Sequence, residues 1–158
     1  MKDSHSEENK QKILDSLRLT VVEIMTTMAI SEVIFSGKEK VNDFRLNREA
    51  SGLVRLYGTH EGMIAVGCSL NLLRNIVSKI VGLPQEDLLQ EDLLDGAAEL
   101  ANMIGGGMKS KAQIPGVVLS PPMSIVGMEY IASWKTGQPT EILTFQMEEG
   151  ILQIYASL

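Results

Sequence analysis

Three polar side chains on one predicted helix have types and spacing suited to chemistry on a partner molecule. Asp95, Glu99 and Asn102 are four and three residues apart, so on a helix they fall within an arc of about 60°. Carboxylates pair with cations or take up protons, whereas a carboxamide accepts one hydrogen bond while it donates another. Gly106, one turn further on the same face, leaves room for close approach to the backbone. These four residues form the candidate site.

The helix that must carry this row has an apolar stripe on its opposite side. The stripe comprises Leu94, Ala97, Leu100, Ala101, Ile104 and Met108. We expect a helix over residues 91–111, ended by the Pro-Gly pair at 115–116. The glycines at 105–107 weaken a helix by roughly 1 kcal/mol each relative to alanine. The helix therefore either ends there or is compensated by tight packing and partner access. A phosphate-binding glycine loop is a third interpretation, but the Lys-Ser/Thr of a P-loop is absent.

The row also has a simpler interpretation, because exposed helix faces commonly carry acids and amides that only contact solvent. A general acid–base pair of Asp95 and Glu99 has little support, since exposed carboxylates have no reason for a raised pKa. No His or Cys spacing typical of a metal site occurs, and no serine nucleophile motif is present.

The composition argues against several classes of function. The net charge of −6 and pI of about 4.9 disfavour nucleic acid and anionic membranes as main partners. A hydrophobic content of 44% and a mean hydropathy of +0.08 are typical of a globular protein. Cys68 is the only cysteine, which excludes an internal disulfide and indicates a reducing compartment. The polar start lacks a signal peptide's apolar region, so a cytoplasmic protein is expected.

The pattern along the chain predicts one domain behind a short polar start. Residues 1–9 are expected to be disordered or frayed, and residues 10–158 to form a single domain. Apolar positions between residues 10 and 33 recur at helical spacing and predict a long amphipathic helix. Ser69 is suited to cap a second helix that runs to Ile80. Further segments are predicted as strand (34–41), irregular (42–48) and strand (123–133).

An internal repeat relates the two halves of the chain. Residues 54–70 align without a gap against residues 142–158, and each segment predicts a β-hairpin with a Glu-Gly turn. Each half therefore has the order helix, strand, hairpin. The predicted fold class is α+β, with two pseudo-symmetric halves and one β-sheet covered by paired long helices.

The same repeat aligns the two long helices. In this alignment Glu23 corresponds to Glu99, while Leu19 and Thr26 occupy the positions of Asp95 and Asn102. We interpret Glu23 as a solvated or inter-helix residue, and a residual second site is the alternative. The complete acid, acid and amide set is present on one helix alone.

The row and its setting resemble a known signature. Asp95-x-x-x-Glu99-x-x-Asn102, followed by Met-Ile and a glycine run, resembles the motif of the CheC/CheX/FliY family of CheY-phosphate phosphatases. In that motif Asp or Ser, Glu and Asn are followed by a proline roughly twenty residues later. Pro121 and Pro122 are the candidates for that proline. With the full set on one helix, the chain looks like the single-site, CheX-like branch.

The resemblance implies a protein phosphatase that removes the aspartyl phosphate of a CheY-like response regulator. By this resemblance Glu99 pairs with a lysine of the regulator, Asn102 positions the attacking water, and Asp95 and Gly106 contact the partner. No cofactor of its own is implied, since Mg²⁺ belongs to the regulator's active site. A homodimer is expected. One alternative is a non-catalytic, regulator-binding adaptor of the flagellar-switch type, and another is a sensor domain whose row is only solvated.

Overall fold

The computed structural model describes residues 2–28, 31–128, 130–135 and 137–158. Three helices and nine strands follow one another along these ranges. In chain order they are α1 (Lys2–Thr27), β1 (Val33–Val41), β2 (Phe44–Leu46), β3 (Ala50–Gly58), β4 (Gly62–Cys68), α2 (Leu70–Val81), α3 (Gln90–Ala112), β5 (Val117–Leu119), β6 (Met123–Val126), β7 (Ala132–Trp134), β8 (Thr140–Met147) and β9 (Gly150–Ser157). A 3-10 turn at Gln85–Asp87 precedes α3. Among the helices so described, none is long and apolar enough to cross a membrane.

Seven strands form one antiparallel sheet in the order β1-β8-β9-β4-β3-β5, and β6 also pairs with β3. The three helices pack on one face of this sheet, where their apolar residues and those of the strands form the main core. Ser69 caps α2 as expected, because its side chain accepts a hydrogen bond from the Leu72 amide. The predicted α+β class is confirmed.

The sheet has the pseudo-two-fold arrangement that the repeat predicts. Val66 and Ile154 are equivalent positions in the aligned hairpins, and they are paired with each other across β4 and β9. A pseudo-two-fold axis therefore passes between these two central strands. The halves also exchange strands, because β1 pairs with β8 of the other half while β5 and β6 pair with β3.

A small second sheet on the opposite face was not predicted. Strands β2 and β7 pair with each other and cover a second apolar cluster that includes Phe44, Leu46 and Tyr155. The prediction of an irregular segment over 42–48 is therefore wrong for β2. The single strand predicted over 123–133 is also wrong, since β6 and β7 belong to different sheets. Residue 129 of that prediction lies outside the described residues.

The first helix differs from the prediction at both ends. It begins at Lys2 instead of residue 10 and ends at Thr27 instead of near residue 33. Residues 4–8 are exposed, so no apolar periodicity could reveal the early start. At the other end Val33 pairs with β8, and sheet pairing prevails over the helical pattern. Residues 29 and 30 of the predicted helix lie outside the described ranges, as does residue 1. Fraying of residues 2–9 in solution stays a prediction.

Candidate functional site

The helix that carries the row, α3, has defined ends. At its start the Leu89 amide donates a hydrogen bond to the Asp92 carboxylate at 2.8 Å, which satisfies one of the free amides of the first turn. At its end Gln113 adopts a left-handed conformation with φ of 50°, and its amide donates to the Lys109 carbonyl. The helix is therefore continuous from Gln90 to Ala112, through all three glycines.

The predicted apolar stripe anchors α3 against the sheet. Its members Ala97, Leu100, Ala101, Ile104 and Met108 are all buried. The stripe differs from the prediction only at its start, where Leu94 is half-buried and the preceding residue, Leu93, is buried in its place. The opposite face must then lie in solvent, as the helical period requires.

Glycines along the flanks of α3 allow neighbouring elements to approach closely. A methyl group at Gly96 would meet Val77 of α2, and one at Gly107 would meet Thr20 of α1. At Gly105 it would lie 3.1 Å from Val54 Cγ2 of β3. Close packing of this kind compensates the weak helix propensity of glycine. It also fixes α3 on three sides, so the exposed face is held on a rigid element.

The four predicted site residues lie together on the exposed face of α3. Asp95, Glu99, Asn102 and Gly106 are each exposed, as the sequence predicted. A methyl group added at Gly106 would contact nothing within 4 Å, so packing does not explain this glycine. Within the described ranges neither carboxylate of the row takes part in an ion pair, and the side-chain carboxamide of Asn102 makes no hydrogen bond. The row is therefore rigidly held, and its side chains have no polar partner in the part of the chain that the structure describes.

The equivalent row on α1 has a different environment. Glu23 forms an ion pair with Lys111 of α3, with 2.5 Å between Oε2 and Nζ. This contact confirms the interpretation of Glu23 as an inter-helix residue. Leu19, at the position equivalent to the first aspartate, is 61% exposed, and Thr26 is exposed as well.

The two candidate prolines interrupt the sheet edge beside α3. Pro121 and Pro122 lie between β5 and β6, where proline is tolerated because an edge strand needs no donor on its open side. The preceding residue, Ser120, donates its amide to the Arg55 carbonyl at 2.9 Å and accepts from the Arg55 amide at 2.8 Å. The prolines thus follow a segment tied to β3, which in turn packs against α3.

Other reactive groups among the described residues give no competing site. Burial raises the pKa of the Cys68 thiol to about 12, so it stays protonated and unreactive near neutral pH. In the part of the chain that the structure describes, no three His, Cys, Asp or Glu side chains are grouped so as to hold a metal ion.

The exposed face of α3 extends beyond the four predicted site residues. Lys109 is exposed and lies seven residues after Asn102, which is two helical turns along nearly the same line. The seven-residue spacing from Asp95 to Asn102 to Lys109 is a signal in the sequence, but lysines are so common near the ends of helices that this spacing alone does not identify a site residue.

Several solved structures that share this fold are chemotaxis proteins. The chain is similar to a CheX from Desulfovibrio desulfuricans, with 19% identity, a TM-score of 0.79 and coverage of 96% of this chain and 99% of that chain. A CheC-like superfamily protein from Shewanella sp. PV-4 gives 21% identity, a TM-score of 0.80 and coverage of 92% and 96%. CheX in a CheX–CheY–BeF₃–Mg²⁺ complex from Borrelia burgdorferi gives 16% identity, a TM-score of 0.70 and coverage of 93% of this chain and 95% of that chain. At these identities the likeness establishes the fold.

The sequence itself establishes the family. Residues 50–146 match the family model described as chemotaxis phosphatase CheX. The chain therefore belongs to the CheX family. No curated protein matches the chain.

Proposed function

We propose that this protein is a phosphatase that hydrolyses the aspartyl phosphate of a CheY-like receiver domain. One observation carries the proposal: an exposed row of acid, acid and amide, rigidly held and without side-chain partners among the described residues, lies beside the open surface at Gly106. The chain's membership of a family of chemotaxis phosphatases supports it at the level of the reaction class. The CheX–CheY complex from B. burgdorferi supports a receiver as the partner.

The chemistry asks little of the phosphatase. An aspartyl phosphate is an activated acyl phosphate, and the receiver supplies the Mg²⁺ that neutralises the phosphoryl oxygens. A water oxygen attacks phosphorus, the bond from phosphorus to the aspartate oxygen breaks, and the receiver's carboxylate leaves. The water's protons stay with the phosphate product. The phosphatase therefore contributes chiefly a positioned water, in line with the breaking bond.

Asn102 is the residue that we assign to this water. Its carboxamide oxygen accepts a hydrogen bond from the water while its nitrogen donates to a neighbouring acceptor. An amide is not a base, so Asn102 orients the water without taking its proton. No described residue forms a hydrogen bond with the Asn102 side chain, which supports this role because no internal contact has to be broken first.

Glu99 and its neighbours fix the position of the amide. Glu99 lies one turn before Asn102 and carries no ion pair in the described structure, so it can pair with a lysine of the receiver through a charge-assisted hydrogen bond. Asp95, one turn before Glu99, adds a second contact to the receiver. The bare surface at Gly106 lets the receiver approach the α3 backbone.

The assembly that we propose is a cytoplasmic homodimer in which the row on α3 stays uncovered. Light scattering of the purified protein should give twice the chain mass of 17.3 kDa. A dimer whose receiver binding is lost on dimerisation would contradict this arrangement, because the row would then be covered.

The function is tested by the decay of phosphorylated receivers. CheY-like receiver domains are phosphorylated with acetyl phosphate and Mg²⁺, freed of the donor, and followed with and without the protein. The proposal predicts faster decay for at least one receiver and catalytic turnover. Binding to a BeF₃⁻-activated receiver without faster decay would overturn the enzymatic proposal in favour of the adaptor. No binding to any receiver would leave only the shared fold.

A further inference from the structure

The exposed face of α3 carries three different charge types at equal intervals. Asp95, Asn102 and Lys109 are seven residues apart in each case. Seven residues advance an α-helix by about 10.5 Å and rotate it by about 20° from full turns. The amide therefore lies midway between a negative and a positive side chain on one line, and all three side chains are exposed.

Lys109 is available to a partner, whereas the other lysine at this end of α3 is not. Lys111 is held in the ion pair with Glu23 of α1. Lys109 has no ion pair with any described residue. Its interaction with the helix dipole is worth only a few tenths of a kcal/mol to about 1 kcal/mol at an exposed site, and Lys111 supplies a cation to the same turn. The dipole therefore does not require a second, unpaired lysine on the exposed face.

Acidic residues dominate the opposite end of the same face. Glu91 and Asp95 are exposed before the amide, and Lys109 is the first basic residue after Lys79 in the sequence. A receiver that lies across Asn102 thus meets negative charge on one side and positive charge on the other. Complementary charges on a receiver would favour one direction of docking, and the reversed direction would bring like charges together.

We propose that Lys109 is a docking residue that pairs with an acidic group of the receiver and, opposite Asp95, sets the direction in which the receiver lies across Asn102. This inference rests on the proposed function, since it takes Asn102 as the centre of the docked complex. It adds a residue and a charge requirement for the partner: the receiver surface must be basic toward the start of α3 and acidic toward its end.

The test compares charge reversals at two lysines. Lys109→Glu changes the charge on the exposed face of α3, and Lys79→Glu makes the same change in the last turn of α2, beside Glu148 and Glu149 of the β8–β9 turn. Both variants alter net charge and helix-end charge equally. Dissociation constants are measured by fluorescence polarisation with a labelled CheY-like receiver, activated by BeF₃⁻ and Mg²⁺, at 50 and 250 mM NaCl.

The expected result is a Kd raised about tenfold by Lys109→Glu at 50 mM NaCl and changed less than about twofold by Lys79→Glu or Lys109→Arg. The rate of phosphate release at saturation should stay within about twofold of wild type in Lys79→Glu and Lys109→Arg, because both keep the amide and a cation at position 109. The increase in Kd caused by Lys109→Glu should be smaller at 250 mM NaCl, since salt screens exposed charges.

Equal effects of Lys109→Glu and Lys79→Glu, or no effect of either, would overturn the inference while leaving the proposed function intact. A loss of saturated rate without a change in Kd would overturn it as well, because Lys109 would then act in the chemical step. Absence of faster decay despite binding contradicts the proposed phosphatase alone, and the Kd comparison still decides the role of Lys109. Absence of binding to any receiver overturns both.

Discussion

The long helices α1 and α3 come from equivalent positions of the two halves, yet their exposed faces differ in kind. On α3 the glutamate of the row, Glu99, is unpaired within the described structure, and Asn102 lies three residues after it. On α1 the corresponding Glu23 forms an ion pair with Lys111, and Thr26 lies three residues after Glu23. One half of the pseudo-symmetric fold therefore presents polar side chains that are unpaired among the described residues, while the other half uses the same position to join the helices.

The largest expected effect comes from moving the amide between the helices. In the double variant Asn102→Thr with Thr26→Asn, the total composition of the two rows is conserved. We expect at least about a hundredfold loss of the saturated rate of receiver dephosphorylation, because an amide on α1 stands beside a glutamate that is already paired. Thr26→Asn alone should retain wild-type activity. A double variant that keeps a tenth or more of that activity would show that the two helices are interchangeable.

The next effect concerns the two glutamates. Glu99→Gln should raise KM for the phosphorylated receiver about tenfold, since a charge-assisted hydrogen bond to the partner is weakened. Glu23→Gln, the matched change on α1, should alter KM less than about twofold. Steady-state kinetics with varied receiver concentration measure both values. Equal effects of the two substitutions would place the docking surface across both helices.

The glycines of α3 provide a comparison between packing and access. Gly107→Ala should destabilise the fold by about 1–3 kcal/mol, because the added methyl group meets Thr20 of α1. Gly106→Ala, which adds a methyl group in open space, should stabilise the fold by up to about 1 kcal/mol. The same Gly106→Ala change should weaken receiver binding. Urea denaturation measures the free energy of unfolding of both variants. A destabilised Gly106→Ala variant would contradict the assignment of Gly106 to partner access instead of packing.

The smallest effect is expected from the ion pair between the helices. Glu23 and Lys111 have side chains that are 59% and 30% exposed, and exposed ion pairs contribute about 1 kcal/mol or less. Glu23→Gln should therefore lower the free energy of unfolding by no more than this amount at low salt. The difference from wild type should shrink in 0.5 M NaCl as screening increases. A larger loss that persists at high salt would indicate that Glu23 has a structural role beyond this pair.

The exposed row could be predicted from sequence because its geometry is local. A helix of more than twenty residues has a strong period, so the buried side of α3 determines which residues face solvent. The hairpins were predictable for the same reason, since each combines alternation with a Glu-Gly turn. The partners of the flanking glycines were not predictable. Gly106 and Gly107 are neighbours in sequence, and only the packed structure shows that one faces solvent and the other faces Thr20.

The small second sheet escaped prediction because its signal is short and non-local. Strands β2 and β7 have three residues each, which is too few for a period, and Phe44 pairs with Trp134 from far along the chain. The end of α1 was predicted wrongly for a related reason. Val33 and its neighbours fit either a helix or a strand, and their pairing with β8 decides between the two.

The central claim is that Asn102 positions the attacking water without being needed for docking. The most direct measurement is single-turnover decay of a phosphorylated receiver, with Mg²⁺ and saturating Asn102→Ala protein, alongside the Kd of that variant for the BeF₃⁻-activated receiver. We expect the decay to return to the spontaneous rate while Kd stays within about threefold of wild type. Accelerated decay at the wild-type rate by saturating Asn102→Ala protein would contradict the account.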